Sequence, residues 1–131
     1  MTDFTSPVAA LQGRIRAASA SGNALRIRGS GSKDFYGQSL QGELLETHEL
    51  QGILSYEPSE LVVTVASGTP LALLETTLAG HGQCLAFEPP HFGPAATVGG
   101  MVAAGLAGPA RANVGGVRDF VLGAELINGQ G

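Results

Sequence analysis

"RGSGSK" (residues 28–33) follows "ALRI" (24–27), so a stretch that alternates apolar and basic side chains runs directly into glycine and serine. The alternation predicts a strand over 24–28, with Leu25 and Ile27 on its buried face. Beyond it, Gly29-Ser30-Gly31-Ser32 has almost no bulk, and Lys33 restores charge. A P-loop needs four residues between its glycines and then Gly-Lys-Ser/Thr. Here Gly29 and Gly31 are separated by Ser30 alone, and Lys33 precedes Asp34. A dinucleotide fingerprint needs glycine at 34 and a helix after it, where Asp34 and the loop-like Phe35-Tyr36-Gly37 stand. Two readings remain: a plain surface turn, or a nest of successive backbone N–H groups that binds an anion without net positive charge.

A second stretch bears on that choice. "ATVGGMVAAG" (96–105) predicts a small-residue helix with Thr97 as its N-cap. The first-turn amides would belong to Val98, Gly99 and Gly100, where unpaired N–H groups and the helix dipole favour anions. Close helix packing suits the same glycines and alanines. Two backbone-only anion sites in one small chain fit a dinucleotide better than a single phosphate.

The rest of the chain supplies a framework. Ser6-Pro7 with Val8, Leu11, Ile15 and Ala18 predicts a helix ended by Gly22-Asn23. Short strands are predicted at 43–46, 52–56 and 61–66, then a helix opened by Thr69-Pro70 that carries Leu71, Leu74 and Leu78. A short strand over 83–87, which would bury Cys84, and a last one over 121–127 complete the pattern. Asn128-Gly129 after that last strand is a hairpin signal with no return strand. The chain is therefore expected to be part of a longer protein.

Composition excludes several function classes. Of 131 residues 44% are hydrophobic, which suits a packed domain, and the net charge is −4. The 7 basic residues are scattered, which argues against a nucleic-acid surface. No apolar run is long enough to cross a membrane. A single cysteine fits a reducing compartment, and cytoplasm is the expected location. Histidines 48, 81 and 91 lack ligand spacing, so no metal is expected. His91, in "EPPHFGP" (88–94), is a candidate to reach a ligand or a plain solvated loop histidine; Arg111 could add charge or lie exposed.

"RGSGSK" (28–33), "SELVVTVASGTPLALLETTLAGHGQCLAFEPP" (59–90), "ATVGGMVAAGLAGP" (96–109) and "VRDFVLGAELINGQG" (117–131) resemble, in order and spacing, the FAD-binding domain of the vanillyl-alcohol oxidase (PCMH-type) flavoproteins. "SKDFYG" (32–37) and "VGGMVAAGLAGPAR" (98–111) look most like the FAD-binding subunit of the bacterial glycolate oxidases. The resemblance implies an α+β fold: a small mixed α/β subdomain over about 11–87, and the start of an antiparallel-sheet subdomain near Val121 that continues past Gly131. Residues 1–131 would be the N-terminal part of that domain. It further implies that Gly29, Ser30, Gly31, Ser32 and Lys33, with Arg28 at their base, face Thr97, Val98, Gly99 and Gly100 across the FAD pyrophosphate. Asp119 would match the family's Asp before a strand.

Two departures matter. Covalently flavinylated relatives have a His in or just after the first loop, where this chain has Ser32 and Lys33, so FAD is expected to be bound non-covalently. Relatives often carry an aromatic residue before the "RD" pair, where this chain has Asn113-Val114-Gly115. The implied activity is oxidation of a small 2-hydroxy acid to a 2-oxo acid, with no catalytic residue nameable in this chain. The implied partners are a second flavoprotein subunit and an iron–sulfur subunit, which could hold the protein at the inner membrane. The rival readings are a D-lactate or sugar-lactone enzyme of the same superfamily, and a non-catalytic nucleotide-binding assembly module.

Overall fold

The structure, a computed structural model, describes residues 5–131. Helix α1 (Thr5–Ser21) starts at the Ser-Pro pair and ends where Gly22 takes φ +70° and the Asn23 N–H donates to the Ala18 carbonyl at 2.9 Å. Strand β1 (Leu25–Arg28) then pairs in parallel with β2 (Glu43–Glu46), Leu25 opposite Glu43 and Arg28 opposite Glu46. Parallel neighbours require a long crossover, and here residues 29–42 supply it with the glycine loop instead of a helix. Arg14 of α1 ties this ladder down through the Glu43 carboxylate at 2.7 Å and the Leu44 carbonyl at 2.5 Å.

Strand β3 (Ile53–Glu57) turns through a short 3-10 segment at Pro58–Glu60 and pairs antiparallel with β4 (Val62–Val65). The two pairs remain separate two-stranded ladders, so the expected mixed sheet is split. Helices α2 (Leu71–Ala79) and α3 (Val98–Ala104) follow, then two single-turn helices that the sequence pattern did not foretell, α4 (Arg111–Val114) and α5 (Val117–Phe120).

The core lies between α2, α3 and the β3–β4 ladder. Leu71, Leu74 and Leu78 form the apolar stripe of α2 and pack with Phe87, Ala96, Val98, Met101 and Val117. At its edge Thr69 is fully buried. Its hydroxyl accepts the Gly52 N–H at 2.9 Å, and its carbonyl accepts the Val98 N–H at 2.9 Å. Pro70 and Thr97 form an antiparallel bridge, with the Leu71 N–H donating to the Ala96 carbonyl at 2.7 Å. These bonds fasten the start of α3 to the start of α2.

Several sequence expectations are corrected. Residues 83–87 are irregular with a turn at 86–87, not a strand, because the Gln83 N–H still bonds the Leu78 carbonyl and the Glu88 N–H folds back on Leu85. Cys84 is consequently exposed. Ile27 is 71% exposed, because the β1–β2 ladder leaves that part of its face uncovered. Residues 121–127 form no strand, since no described segment offers them a ladder, and Leu122 and Leu126 stand in solvent. The expected start of an antiparallel second subdomain is thus not formed among the described residues. Asn128-Gly129 does turn: the Asn128 carbonyl accepts the Gly131 N–H at 2.9 Å, and Arg16 of α1 holds the Gly131 carbonyl at 2.7 Å.

Leu74→Ala should therefore lower unfolding free energy by about 2–5 kcal/mol, whereas Leu126→Ala should stay within about 0.5 kcal/mol. Denaturant titration of the two variants beside the parent checks both; equal losses would place the core elsewhere.

Candidate functional site

The glycine loop is a row of half-buried amides without protein acceptors. Among the described residues, nothing accepts the backbone N–H of Gly29, Ser30, Gly31, Ser32 or Lys33; the loop's own bonds begin with Asp34 N–H to the Gly31 carbonyl at 3.0 Å. Buried backbone donors are nearly always paired, so such a run is set up to receive an acceptor from outside the chain. Gly31 has φ +76°, the left-handed region that a side chain resists.

Arg28 braces this loop from beneath. Its Nε donates to Asp34 Oδ2 at 2.9 Å, a second guanidinium nitrogen lies 2.7 Å from the same oxygen, and Glu46 is 3.8 Å away. A Cβ on Gly31 would overlap the guanidinium, so the loop and its brace are fitted to each other. The hydrogen bond and charge of Asp34 raise the Arg28 pKa, and the same hydrogen bond holds the Asp34 carboxyl below its ordinary range. Arg28 is therefore committed to Asp34. Arg26 lies two residues earlier on the same strand face, and its Nε is buried without a hydrogen-bond partner among the described residues. Strand alternation is the signal that could have singled it out.

The start of α3 is different from its sequence expectation. Thr97 is its N-cap, and Thr97 Oγ1 accepts the Gly100 N–H at 3.1 Å. The Val98 N–H is taken by the Thr69 carbonyl and the Gly99 N–H by the Ser67 carbonyl at 2.7 Å. The three first-turn amides expected to be unpaired are all occupied, because the 67–69 segment packs against this helix end. Gly99 accordingly serves close approach: a Cβ there would lie 2.8 Å from the Ser67 carbonyl oxygen.

The two stretches nevertheless meet. A Cβ on Gly29 would lie 2.8 Å from Thr97 Oγ1, so the loop begins directly against the cap of α3. Lys33 Nζ sits 5.2 Å from the centre of the Phe92 ring. Asp119 is spent locally, accepting the Gly116 N–H at 2.7 Å at the start of α5, and no strand follows it. His91 bonds Glu75 of α2 at 2.8 Å, so it is anchored away from the loop. The surface grooves beside α1 and beside Cys84 include none of these loop residues. No group of His, Cys, Asp and Glu among the described residues could hold a metal ion.

Comparison with known proteins adds two findings. Residues 5–131 match the family described as FAD binding domain. The chain is similar to the glycolate oxidase subunit GlcE of Escherichia coli (strain K12), 52% identical over 107 residues, covering 82% of this chain and 31% of that protein. The chain thus spans about a third of the length of this relative. No solved structure matches.

The Arg28–Asp34 brace has a pH signature. Because the Asp34 pKa is lowered in the folded state from its ordinary 3.8, the brace is fully charged above that value and is lost as pH falls through the depressed one. The Gly31 and Ser32 amide resonances should titrate with a midpoint below 3.8, and Asp34→Asn should abolish that titration. A midpoint at or above the ordinary carboxylate value would contradict the brace.

Proposed function

Because this chain belongs to the FAD binding domain family, we propose that its glycine loop holds the diphosphate of FAD and that the protein is the FAD-binding subunit of a glycolate-type 2-hydroxy-acid oxidase. The observation that carries this reading is the run of half-buried N–H groups at residues 29–33 with no acceptor among the described residues. Gly29 and Gly31 keep the run free of side chains, and a diphosphate is the kind of multiply accepting anion such a nest suits. Arg26, on the strand that leads into the loop, adds a cation whose Nε has no hydrogen-bond partner among the described residues. On this reading Thr97, Val98, Gly99 and Gly100 form the facing wall; with their amides occupied, they contribute shape and the Thr97 hydroxyl instead of free donors.

When bound, FAD supplies the two-electron redox chemistry that converts a 2-hydroxy acid into a 2-oxo acid. This chain's part is to bind and orient. The loop fixes the phosphates, and Arg28 and Asp34 keep the loop in shape without themselves being needed as ligands. Attachment is non-covalent on this reading, since Ser32 and Lys33 stand where flavinylated relatives have His and His91 is held by Glu75. Residues 1–131 supply the N-terminal part of the FAD-binding domain. The partners are a second flavoprotein subunit and an iron–sulfur subunit, which would bring a cytoplasmic protein to the inner membrane. No helix among the described residues is long and apolar enough to cross a membrane.

Gly29→Val or Gly31→Val should remove flavin from the purified intact protein, the first by striking Thr97 and the second by striking Arg28 and opposing a positive φ. Unchanged flavin stoichiometry in both variants would overturn the assignment of the loop.

Acid precipitation of the parent should release all flavin into the supernatant, and anaerobic glycolate should bleach the bound flavin of the assembled protein. Bleaching by D-lactate or a sugar lactone in preference to glycolate would reassign the substrate. Flavin that no hydroxy acid or lactone bleaches would make the subunit a nucleotide-binding assembly module.

A further inference from the structure

Anion nests work only when their amides are held convergent, so the question is what holds residues 29–36. The upstream end is secured three times: by the β1–β2 ladder, by Arg28 on Asp34, and by Thr47, whose N–H donates to the Arg28 carbonyl at 3.0 Å. The downstream end, Lys33 to Phe35, belongs to no strand or helix. Apart from Asp34 on Arg28 and turn bonds such as Tyr36 N–H to the Lys33 carbonyl at 2.9 Å, the side chains of Lys33 and Phe35 meet one ring from elsewhere among the described residues. Phe92 receives the Lys33 ammonium at 5.2 Å from its centroid and packs against the Phe35 ring at 5.7 Å and 47°.

Phe92 is itself well mounted. It lies between Pro90 and Pro94 on the segment leading into Thr97, and its neighbour His91 is fastened to α2 through Glu75. The glycine loop is thus joined to this one segment at both ends, Gly29 on Thr97 and Lys33–Phe35 on Phe92. We infer that Phe92 is a positioning residue for the flavin, a latch whose ring holds Lys33 and Phe35 so that the amides between them converge on the diphosphate. The inference rests on the FAD reading of the loop. Phe92 acts through Lys33 and Phe35, and its worth is preorganisation: a loop already in the bound shape loses less freedom on binding.

The test compares Phe92→Leu, Phe92→Tyr and the parent in the intact protein, stripped of flavin and then titrated with FAD. Hydrogen exchange over residues 29–36 is followed in the flavin-free forms. An exposed cation–π contact and one aromatic pair together correspond to a loss of roughly 10-fold in affinity. Phe92→Leu should bind FAD about 10-fold more weakly and exchange faster at 29–36, with Phe92→Tyr restoring both, because tyrosine keeps the ring face. Parental affinity in Phe92→Leu, or no rescue by Phe92→Tyr, would overturn the latch. Should Phe92→Leu fail to fold, Lys33→Met combined with Phe35→Leu strips the same ring of its partners and must show the same two changes. If the parent binds no FAD while Phe92→Leu still loosens the loop, the latch survives as a loop brace and the FAD reading falls.

Discussion

The start of α2 and the start of α3 are bound to one another by backbone alone, and the rest of the molecule depends on that junction. Ser67 and Thr69 give their carbonyls to the first amides of α3, Ala96 gives its carbonyl to Leu71, and the buried Thr69 hydroxyl reaches back to Gly52. The Thr69–Val98 and Ala96–Leu71 bonds join buried residues, so losing either would strand a buried donor or acceptor. The junction fixes where Thr97 stands, and Thr97 in turn fixes where the glycine loop must begin. Core packing of Leu71, Leu74 and Leu78 against Val98 and Met101 then holds the two helices at that distance.

This accounts for the division of labour at the candidate site. One stretch has its amides consumed by the fold; the other has its amides left without acceptors among the described residues. A wall made of a capped helix end is rigid, and a nest made of glycine and serine is adaptable. Charge follows the same division. Arg28 is neutralised by Asp34 and Glu46 and contributes shape, while Lys33 lies over the Phe92 ring and makes no ion pair among the described residues.

Helices were legible in the sequence where punctuation bounded them. Ser6-Pro7, Pro70 and Thr97 set starts, Gly22 and Gly105 set stops, and α1, α2 and α3 fall within a residue or two of those marks. Short apolar runs were not legible. Gln83–Phe87 and Val121–Ile127 read as strands because a strand and an irregular apolar segment have the same local composition; only a ladder partner tells them apart. The occupied amides of α3 were invisible for a related reason, since nothing local to "TVGG" says that two carbonyls of "ASGTP" (66–70) lie across from it. The Arg28–Asp34 brace left a trace, an acid just past the loop, but its geometry spans Gly31 and had no periodic signature. Phe92, an aromatic among prolines and glycines, carries no local signal of its contacts with Lys33 and Phe35.

The crossover between β1 and β2 has a consequence for the order of folding. Four residue pairs make up this parallel ladder, and its two strands are separated by a stretch rich in glycine and serine. Closing such a stretch costs entropy before the ladder can repay it, whereas the β3–β4 hairpin closes over a single short turn. The hairpin and the α2–α3 junction can therefore assemble first and present Thr97 as a finished surface. The nest is completed last, against that surface, and sits at the low end of the molecule's local stability. Any ligand that bound the crossover in its folded form alone would act late on such a path, drawing the crossover into place by mass action after the core is set.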